Sequence, residues 1–191
     1  MNNKIQLRFG ILTLMILAAA LSRLLPHPHN FTPIGAIGLF GAAHFSRKYL
    51  AVIVPFLALW VSDLLLNNLV YARMYPDFYG DAFVWFGTFT PYVYGAFALI
   101  IGLGFVLLRK VKVTNLLAAS LGASVLFFLV TNAGSWWASP QYTKDFTGLI
   151  AAYTAGIPFF WNTLLGDLFY VGVLFGGYAW IKQQVPALQT A

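Results

Sequence analysis

Residues 48–70 read KYLAVIVPFLALWVSDLLLNNLV, an apolar run that contains one acidic side chain, Asp63. A helix that spans a bilayer needs about 20 mostly apolar residues, and this run has that length. The whole chain has the same character, because 60% of its 191 residues are hydrophobic and only 8% are charged. In soluble domains roughly 45–50% of the residues are hydrophobic and about 25% are charged. The sequence therefore predicts an integral membrane protein.

Working outward from this run, we predict an all-α transmembrane bundle of six helices that forms one domain over residues 1–191. The approximate bounds of the helices are 5–25, 33–45, 48–70, 88–108, 114–134 and 158–181. The first run also has the charged start and the small residues of a signal peptide. Its continuation to Leu25 favours a spanning helix. Two long connections, 71–87 and 135–157, are rich in aromatic residues and Asp.

The distribution of Lys and Arg predicts the orientation, since cytoplasmic loops carry an excess of basic residues. With the N-terminus inside, the inner segments hold Lys4, Arg8, Arg47, Lys48, Arg109, Lys110, Lys112 and Lys182, and the outer segments hold Arg23, Arg73 and Lys144. We therefore predict that both termini are cytoplasmic and that the protein lies in the cytoplasmic (inner) membrane. The net charge of +6 is explained by these basic loops, and no nucleic-acid-binding pattern accompanies it.

Polar side chains recur on one face of the third predicted helix. Trp60, Asp63, Asn67 and Tyr71 are spaced by three or four residues and therefore share that face. Asp167 lies in the sixth predicted helix, and an ionised Asp in the hydrocarbon is unfavourable by about 2.5–3.5 kcal/mol or more. Three interpretations are open: these groups hold the helices together, they line an outward-facing pocket for a polar, even cationic, ligand, or they relay protons.

The pocket interpretation defines a set of candidate residues in the outer half of the bundle. Asp63 would anchor a donor or positive group of the ligand, Asn67 would fix its orientation, and Trp60 and Trp85 would form walls. The full set of candidate ligand-binding residues is Asn30, Phe31, Trp60, Asp63, Asn67, Tyr71, Trp85, Asn132 and Asp167. The aromatic residues of the long outer connections would cover the ligand.

Several kinds of catalytic and metal site are excluded because the sequence lacks the residues or motifs that they need. The chain has no Cys, which removes disulfides, thiolate metal sites and Cys nucleophiles, and it has no Walker A, HExxH or GxSxG motif. His27 and His29 flank Pro28, but two imidazoles are a weak metal signal. We therefore expect no metal, no cofactor and no enzymatic activity. A lipid- or isoprenoid-acting enzyme is an alternative, for which Asp63, Asp77 and Asp81 would have to supply the chemistry.

Residues 23–36, RLLPHPHNFTPIGA, followed by LFGA at 39–42 and SDL at 62–64, resemble an uncharacterised family of small bacterial membrane proteins described as transport proteins. Through that family the chain is similar to the S components of energy-coupling factor (ECF) transporters. This resemblance implies a six-helix bundle that binds a vitamin or related micronutrient from outside. It also implies partnership with a transmembrane T component and two cytoplasmic ATPases.

The first helix of S components typically carries an Ala-xxx-Ala motif that contacts the T component. Here the nearest match is Ala18 with Ser22, or Ala19 with Arg23, so the resemblance implies Ala18 and Ser22 as partner-docking residues. We predict from these observations a substrate-binding membrane subunit for uptake of a small micronutrient, with membrane lipid as its other partner. The alternatives are a structural or accessory protein of a larger membrane complex and the intramembrane enzyme.

Overall fold

A computed structural model describes residues 3–79 and 82–189, and within these residues the chain is helical and has no strand. The long helices are α1 (Asn3–Leu21), α2 (Ile34–His44), α3 (Lys48–Leu65), α4 (Thr90–Leu107), α5 (Val113–Ala138) and α6 (Phe146–Gln184). Short helical segments are Ser22–Leu24, Leu66–Tyr71, Ala72–Met74, Pro76–Tyr79 and Pro186–Gln189. The described residues therefore form more helices than the six that the sequence predicted.

Five of these helical stretches are long and apolar enough to cross a membrane, so the protein is multi-pass. Their bounds are Lys4–Leu24, Lys48–Met74, Thr90–Leu107, Val113–Ala138 and Phe146–Gln184. The prediction of six spans is corrected at α2, which has only 11 residues. At about 1.5 Å per residue it is roughly 16 Å long, whereas the hydrocarbon layer is about 30 Å thick.

The short helix α2 is the centre of the bundle and contacts each of the other five long helices. Every residue from 34 to 41 is buried, as expected for a helix that is apolar all round. Glycines allow this close packing: a Cβ on Gly41 would lie 2.6 Å from Cγ of Pro55, and one on Gly38 would lie 3.0 Å from the Phe97 ring. The small residues of α2 therefore serve internal packing.

Helix α6 begins well before its predicted start. The predicted connection 135–157 is mostly helical, because α5 continues to Ala138 and α6 starts at Phe146. The Asp145 carboxylate accepts the backbone N–H of Gly148 at 2.8 Å and so caps the new start, as Asp commonly does at a helix N-terminus. Pro158 lies inside the helix, where neighbouring helices help to satisfy the freed backbone groups.

The two ends of the bundle differ. Arg8 Nη2 donates to the carbonyl oxygen of His44 at 2.8 Å, and the Tyr178 ring lies 4.6 Å from that of His44. The start of α1 and the ends of α2 and α6 therefore share one end, together with most of the basic residues. The connections 25–33 and 139–145 and the segments 75–79 and 82–89 lie at the opposite end. We call these two ends the basic end and the loop end; which of them faces the cytoplasm stays a prediction.

Candidate functional site

A cavity of about 750 Å³ opens at the loop end, between the ends of α1 and α3, the start of α4, the connection 25–33 and the segments 75–79 and 82–89. We call it the large cavity. Four of the predicted ligand-binding residues line it, namely Asn30, Asp63, Asn67 and Tyr71. Aromatic side chains supply much of the remaining wall, including Tyr75, Tyr79, Phe86, Phe89 and Phe127. Burial raises the pKa of Tyr79, and the neighbouring Tyr71 and Tyr75 raise it further.

Asp63 is held on both of its oxygens by protein groups. Arg23 Nη1 lies 2.6 Å from Oδ1, and the Tyr94 hydroxyl donates to Oδ2 at 2.9 Å. The same Nη1 donates to Ser62 Oγ at 2.6 Å. The side chains of Arg23 and Asp63 are 11% and 18% exposed, respectively, so the ion pair is largely buried. Asp63 therefore lines the cavity as the ion-pair partner of Arg23, and its role as the anchor for a donor or positive group of the ligand stays a prediction.

A π-helical turn shapes the wall that α3 contributes. Residues Leu66–Tyr71 form this turn, in which i→i+5 bonds widen the helix locally. Leu66, Asn67, Val70 and Tyr71 all line the large cavity, so the turn presents two neighbouring pairs of side chains rather than a single α-helical stripe. π-Helical turns are frequent at functional sites, and the sequence pattern alone did not indicate one here.

Asn68 fixes another part of the cavity wall, and the sequence prediction did not include this residue. Its Nδ2 donates to the Val84 carbonyl oxygen at 2.9 Å, and its Oδ1 accepts the Val84 N–H at 2.8 Å. This pair of hydrogen bonds fixes the segment 82–89 against the end of α3. Val84 and Phe86 then line the large cavity, whereas Trp85 between them is 59% exposed.

Trp60 and Trp85 lie outside the large cavity. Their rings stack on each other with centroids 6.4 Å apart and an interplanar angle of 17°. Other aromatic residues therefore line the large cavity in place of the two predicted tryptophans.

The connection 25–33 places Asn30 and Phe31 in different environments. Asn30 has a φ of 63°, a left-handed conformation in which Asn is enriched, and it lines the large cavity. Phe31 packs on α6 instead, with its ring 5.7 Å from Phe169 and 6.0 Å from Tyr170. The absence of a side chain at Gly166 permits this approach, because a Cβ there would lie 3.1 Å from Cα of Phe31. Phe31 therefore supports the connection rather than the cavity wall.

A smaller cavity of about 280 Å³ lies between α4, α5 and α6 and contains Asn132 in its lining. Asn132 Nδ2 donates to the Phe128 carbonyl oxygen at 2.7 Å. Gly156 faces it, since a Cβ there would lie 2.7 Å from Cγ of Asn132. The two cavities share Asn30, Phe89, Val93 and Phe127 in their linings. Asn132 is therefore in a compartment next to the large cavity.

Asp167 lines neither cavity and is only 2% exposed. Ser124 Oγ donates to its Oδ2 at 2.7 Å, and the backbone N–H groups of Gly35 and Ala36 also bond to the carboxylate. A negative charge at a helix N-terminus is favourable, so Asp167 ties α6 to α5 and to the start of α2. This placement matches the interpretation in which a buried acid holds the helices together, and it puts Asp167, one of the predicted ligand-binding residues, outside both cavities.

Ser22 and Ala18 have different environments. Ser22 Oγ donates to the Ala19 carbonyl oxygen at 2.7 Å and lies 2.8 Å from the Tyr170 hydroxyl, so it packs against α6. Ala18 is exposed on the outer surface of α1. A docking role for Ala18 stays a prediction.

The two histidines of the connection 25–33 both line the large cavity. His27 Nδ1 lies 2.7 Å from the Leu25 carbonyl oxygen, and the His29 ring meets the edge of Phe159. In the part of the chain that the structure describes, no three His, Asp or Glu side chains come together in a way that would hold a metal ion.

The fold and the site define a multi-pass helical membrane protein with an aromatic-lined cavity at one end of its bundle. Residues 3–188 match the model of a family of unknown function, DUF6580, and the chain belongs to this family. No curated protein and no solved structure matches the chain.

Proposed function

We propose that this protein binds a small, micronutrient-sized molecule in the large cavity and is the substrate-binding subunit of an uptake system. The observation that carries the proposal is the cavity itself. Its volume of about 750 Å³ lies within the range of roughly 300–1,000 Å³ that is typical of small-molecule sites. Such sites combine apolar and aromatic walls with a few fixed polar groups, and this one does so.

The polar groups of the large cavity are fixed by bonds that would pre-organise it. Asp63 is oriented by Arg23 and Tyr94, and Asn68 holds the segment 82–89 in place. A pre-organised site loses less conformational freedom on binding and so retains more of its interaction energy. Asn67 contributes an amide that can both donate and accept a hydrogen bond from the ligand.

Uptake requires an energy source, and the chain has no Walker A motif of its own. The proposal therefore includes the similarity to ECF S components and a complex with a T component and cytoplasmic ATPases. Ala18, exposed on α1, is the residue through which we propose that the complex forms. An Ala18→Trp variant should insert into the membrane, keep its ligand and fail to co-purify with the complex. If that variant assembles and transports normally, this contact is not made through Ala18.

The proposed binding function is tested by the molecule that co-purifies with the protein. Val70 lines the large cavity, whereas its neighbour Leu69 is 51% exposed. Wild type, Val70→Trp and the matched control Leu69→Trp are purified in lipid nanodiscs, extracted with organic solvent and analysed by untargeted mass spectrometry. We expect one compound enriched in wild type and Leu69→Trp and depleted in Val70→Trp. Equal extracts from all three proteins would contradict the proposal.

The accessory-protein alternative is favoured by a different observation. Both acids within the spanning helices, Asp63 and Asp167, are engaged by protein groups, as expected if they only hold helices together. The enzyme alternative has less support, because Asp63 is paired with Arg23, Asp77 is exposed and Asp81 lies outside the described residues. We propose that the protein is not an enzyme.

A further inference from the structure

We propose that the ligand of the large cavity carries an anionic group, a carboxylate or a phosphate, which binds to Arg23. This inference rests on the proposed binding function and names the chemical class of the ligand. It starts from the buried Arg23–Asp63 pair, which forms a charged part of the cavity wall.

The charged groups around the cavity favour an anion over a cation. Asp63 is the acidic residue among the described lining residues, and both of its oxygens are occupied, by Arg23 Nη1 and by the Tyr94 hydroxyl. A cationic ligand would have to displace Arg23 from Asp63 and would then lie beside the displaced guanidinium, and like charges repel.

Arg23 has unused donors. A guanidinium has five N–H donors in a planar fork, and its bonds to Asp63 and Ser62 both come from Nη1. Nε is buried and has no hydrogen-bond partner within the described residues. A buried donor without an acceptor is unfavourable, and the Nε–Nη2 edge of a guanidinium matches the two oxygens of a carboxylate or phosphate. An anionic group on this edge would satisfy the buried donor and leave the pair with Asp63 intact.

The aromatic side chains of the cavity wall indicate a second property of the ligand, a planar ring. Tyr71, Tyr75 and Phe86 lie in the wall of the same cavity and offer faces on which a planar ring can stack. The ligand class that fits both features is an aromatic or heteroaromatic acid or phosphate.

Four probes that share one ring test the charge preference. They are 2-naphthylacetate, 2-naphthyl phosphate, 2-naphthylacetamide and 2-naphthylmethylamine, and their affinities for the protein in nanodiscs are measured by saturation-transfer NMR. We expect one or both anions to bind at least about tenfold more tightly than the amine, which is the ratio that one charge-assisted hydrogen bond commonly supplies. The better of the two anions distinguishes carboxylate from phosphate.

Variants then assign the preference to Arg23. In Arg23→Lys the charge stays but the planar fork is lost, so anion affinity should fall about tenfold, while the amide should bind within about twofold of wild type. Asp63→Asn removes the competing negative charge, so anion affinity should stay or rise. Arg73 lies at the same end outside both cavities, and Arg73→Lys is the matched control. The amide probe reports folding in every variant, because its binding requires the intact cavity.

The outcomes separate this inference from the proposed function. If the amine binds as tightly as the anions, or if Asp63→Asn weakens anion binding while the amide still binds, the anionic-ligand inference is wrong and the binding function stands. If no probe binds wild type at millimolar concentration, the cavity is not a site for aromatic acids or phosphates and this inference is wrong, whereas the proposed function is decided by the compound that co-purifies with the protein.

Discussion

Replacing Asp167 by Asn keeps the shape of the side chain and removes its charge at an almost fully buried position of the bundle. The carboxylate is 2% exposed and accepts hydrogen bonds from three donors, Ser124 Oγ and the backbone N–H groups of Gly35 and Ala36. An Asn side chain has one acceptor oxygen, and its NH₂ group would face a backbone N–H group or would donate to Ser124 Oγ, which also donates to the Ser120 carbonyl oxygen. In either arrangement the charge-assisted hydrogen bond from Ser124 to the carboxylate is lost.

The expected loss of stability follows from these contacts. A hydrogen bond to a charged group contributes about 1.5–3 kcal/mol, and a negative charge at a helix N-terminus contributes about 0.3–1 kcal/mol more. Asp167→Asn should therefore destabilise the protein by about 2–4 kcal/mol. In a chain of this length 1 kcal/mol corresponds to a Tm change of roughly 2–4 °C, so the expected fall in Tm is about 4–16 °C.

Thermal unfolding in detergent, followed by tryptophan fluorescence, measures this fall. The matched control is Asp77→Asn, the same chemical change at an exposed position, which should leave Tm unchanged. Because Asp167 lines neither cavity, the folded variant should still bind the ligand at low temperature. An Asp167→Asn protein as stable as wild type would refute the interpretation of Asp167 as an ionic anchor for α2.

Three further substitutions test other parts of the structure. Gly134→Ala should lower Tm, because a Cβ there would lie 2.7 Å from Cβ of Tyr92 and overpacking commonly destabilises by about 1–3 kcal/mol; a Tm equal to that of wild type would contradict the packing. Asn68→Ala should speed hydrogen exchange in the segment 82–89, which loses its two hydrogen bonds to Asn68. Unchanged protection from exchange would show that other contacts hold the segment. A backbone N–H bond at the start of α6, together with a smaller effect of a threonine hydroxyl, lowers the pKa of Asp145, so Asp145→Asn should reduce Tm at pH 7. This difference should shrink as the pH falls below the usual aspartate value of 3.8 and vanish once the pH is below the lowered pKa of the folded protein. A pH-independent difference would exclude that charge as its cause.

The sequence was informative where one physical rule decides the outcome. Apolar length predicted the spanning runs, and helical spacing predicted that Asp63, Asn67 and Tyr71 share a wall, which the large cavity contains. The prediction of α2 as a spanning helix was wrong. This helix is apolar along its whole length, but its 11 residues are buried by other helices rather than by lipid. Hydropathy alone does not distinguish these two apolar environments.

The remaining features depend on contacts between distant parts of the chain. Arg23 was counted as an outer-loop charge, yet the turn Ser22–Leu24 brings it to Asp63, 40 positions along the chain. No local pattern encodes that pair. The start of α6 was predicted too late, because the Asp145 cap, 13 residues before the predicted start at 158, was not recognised in the sequence.

The claim that a ligand site opens outward is tested most directly by accessibility labelling, because the chain has no native Cys. Asn67 lines the large cavity at the loop end, and Ser46 is exposed at the basic end, between α2 and α3. Single-Cys variants Asn67→Cys and Ser46→Cys are treated in intact cells with a membrane-impermeant maleimide. We expect labelling of Asn67→Cys alone, with Ser46→Cys labelled only after the membrane is permeabilised. Labelling of Ser46→Cys in intact cells, with Asn67→Cys protected, would contradict the account.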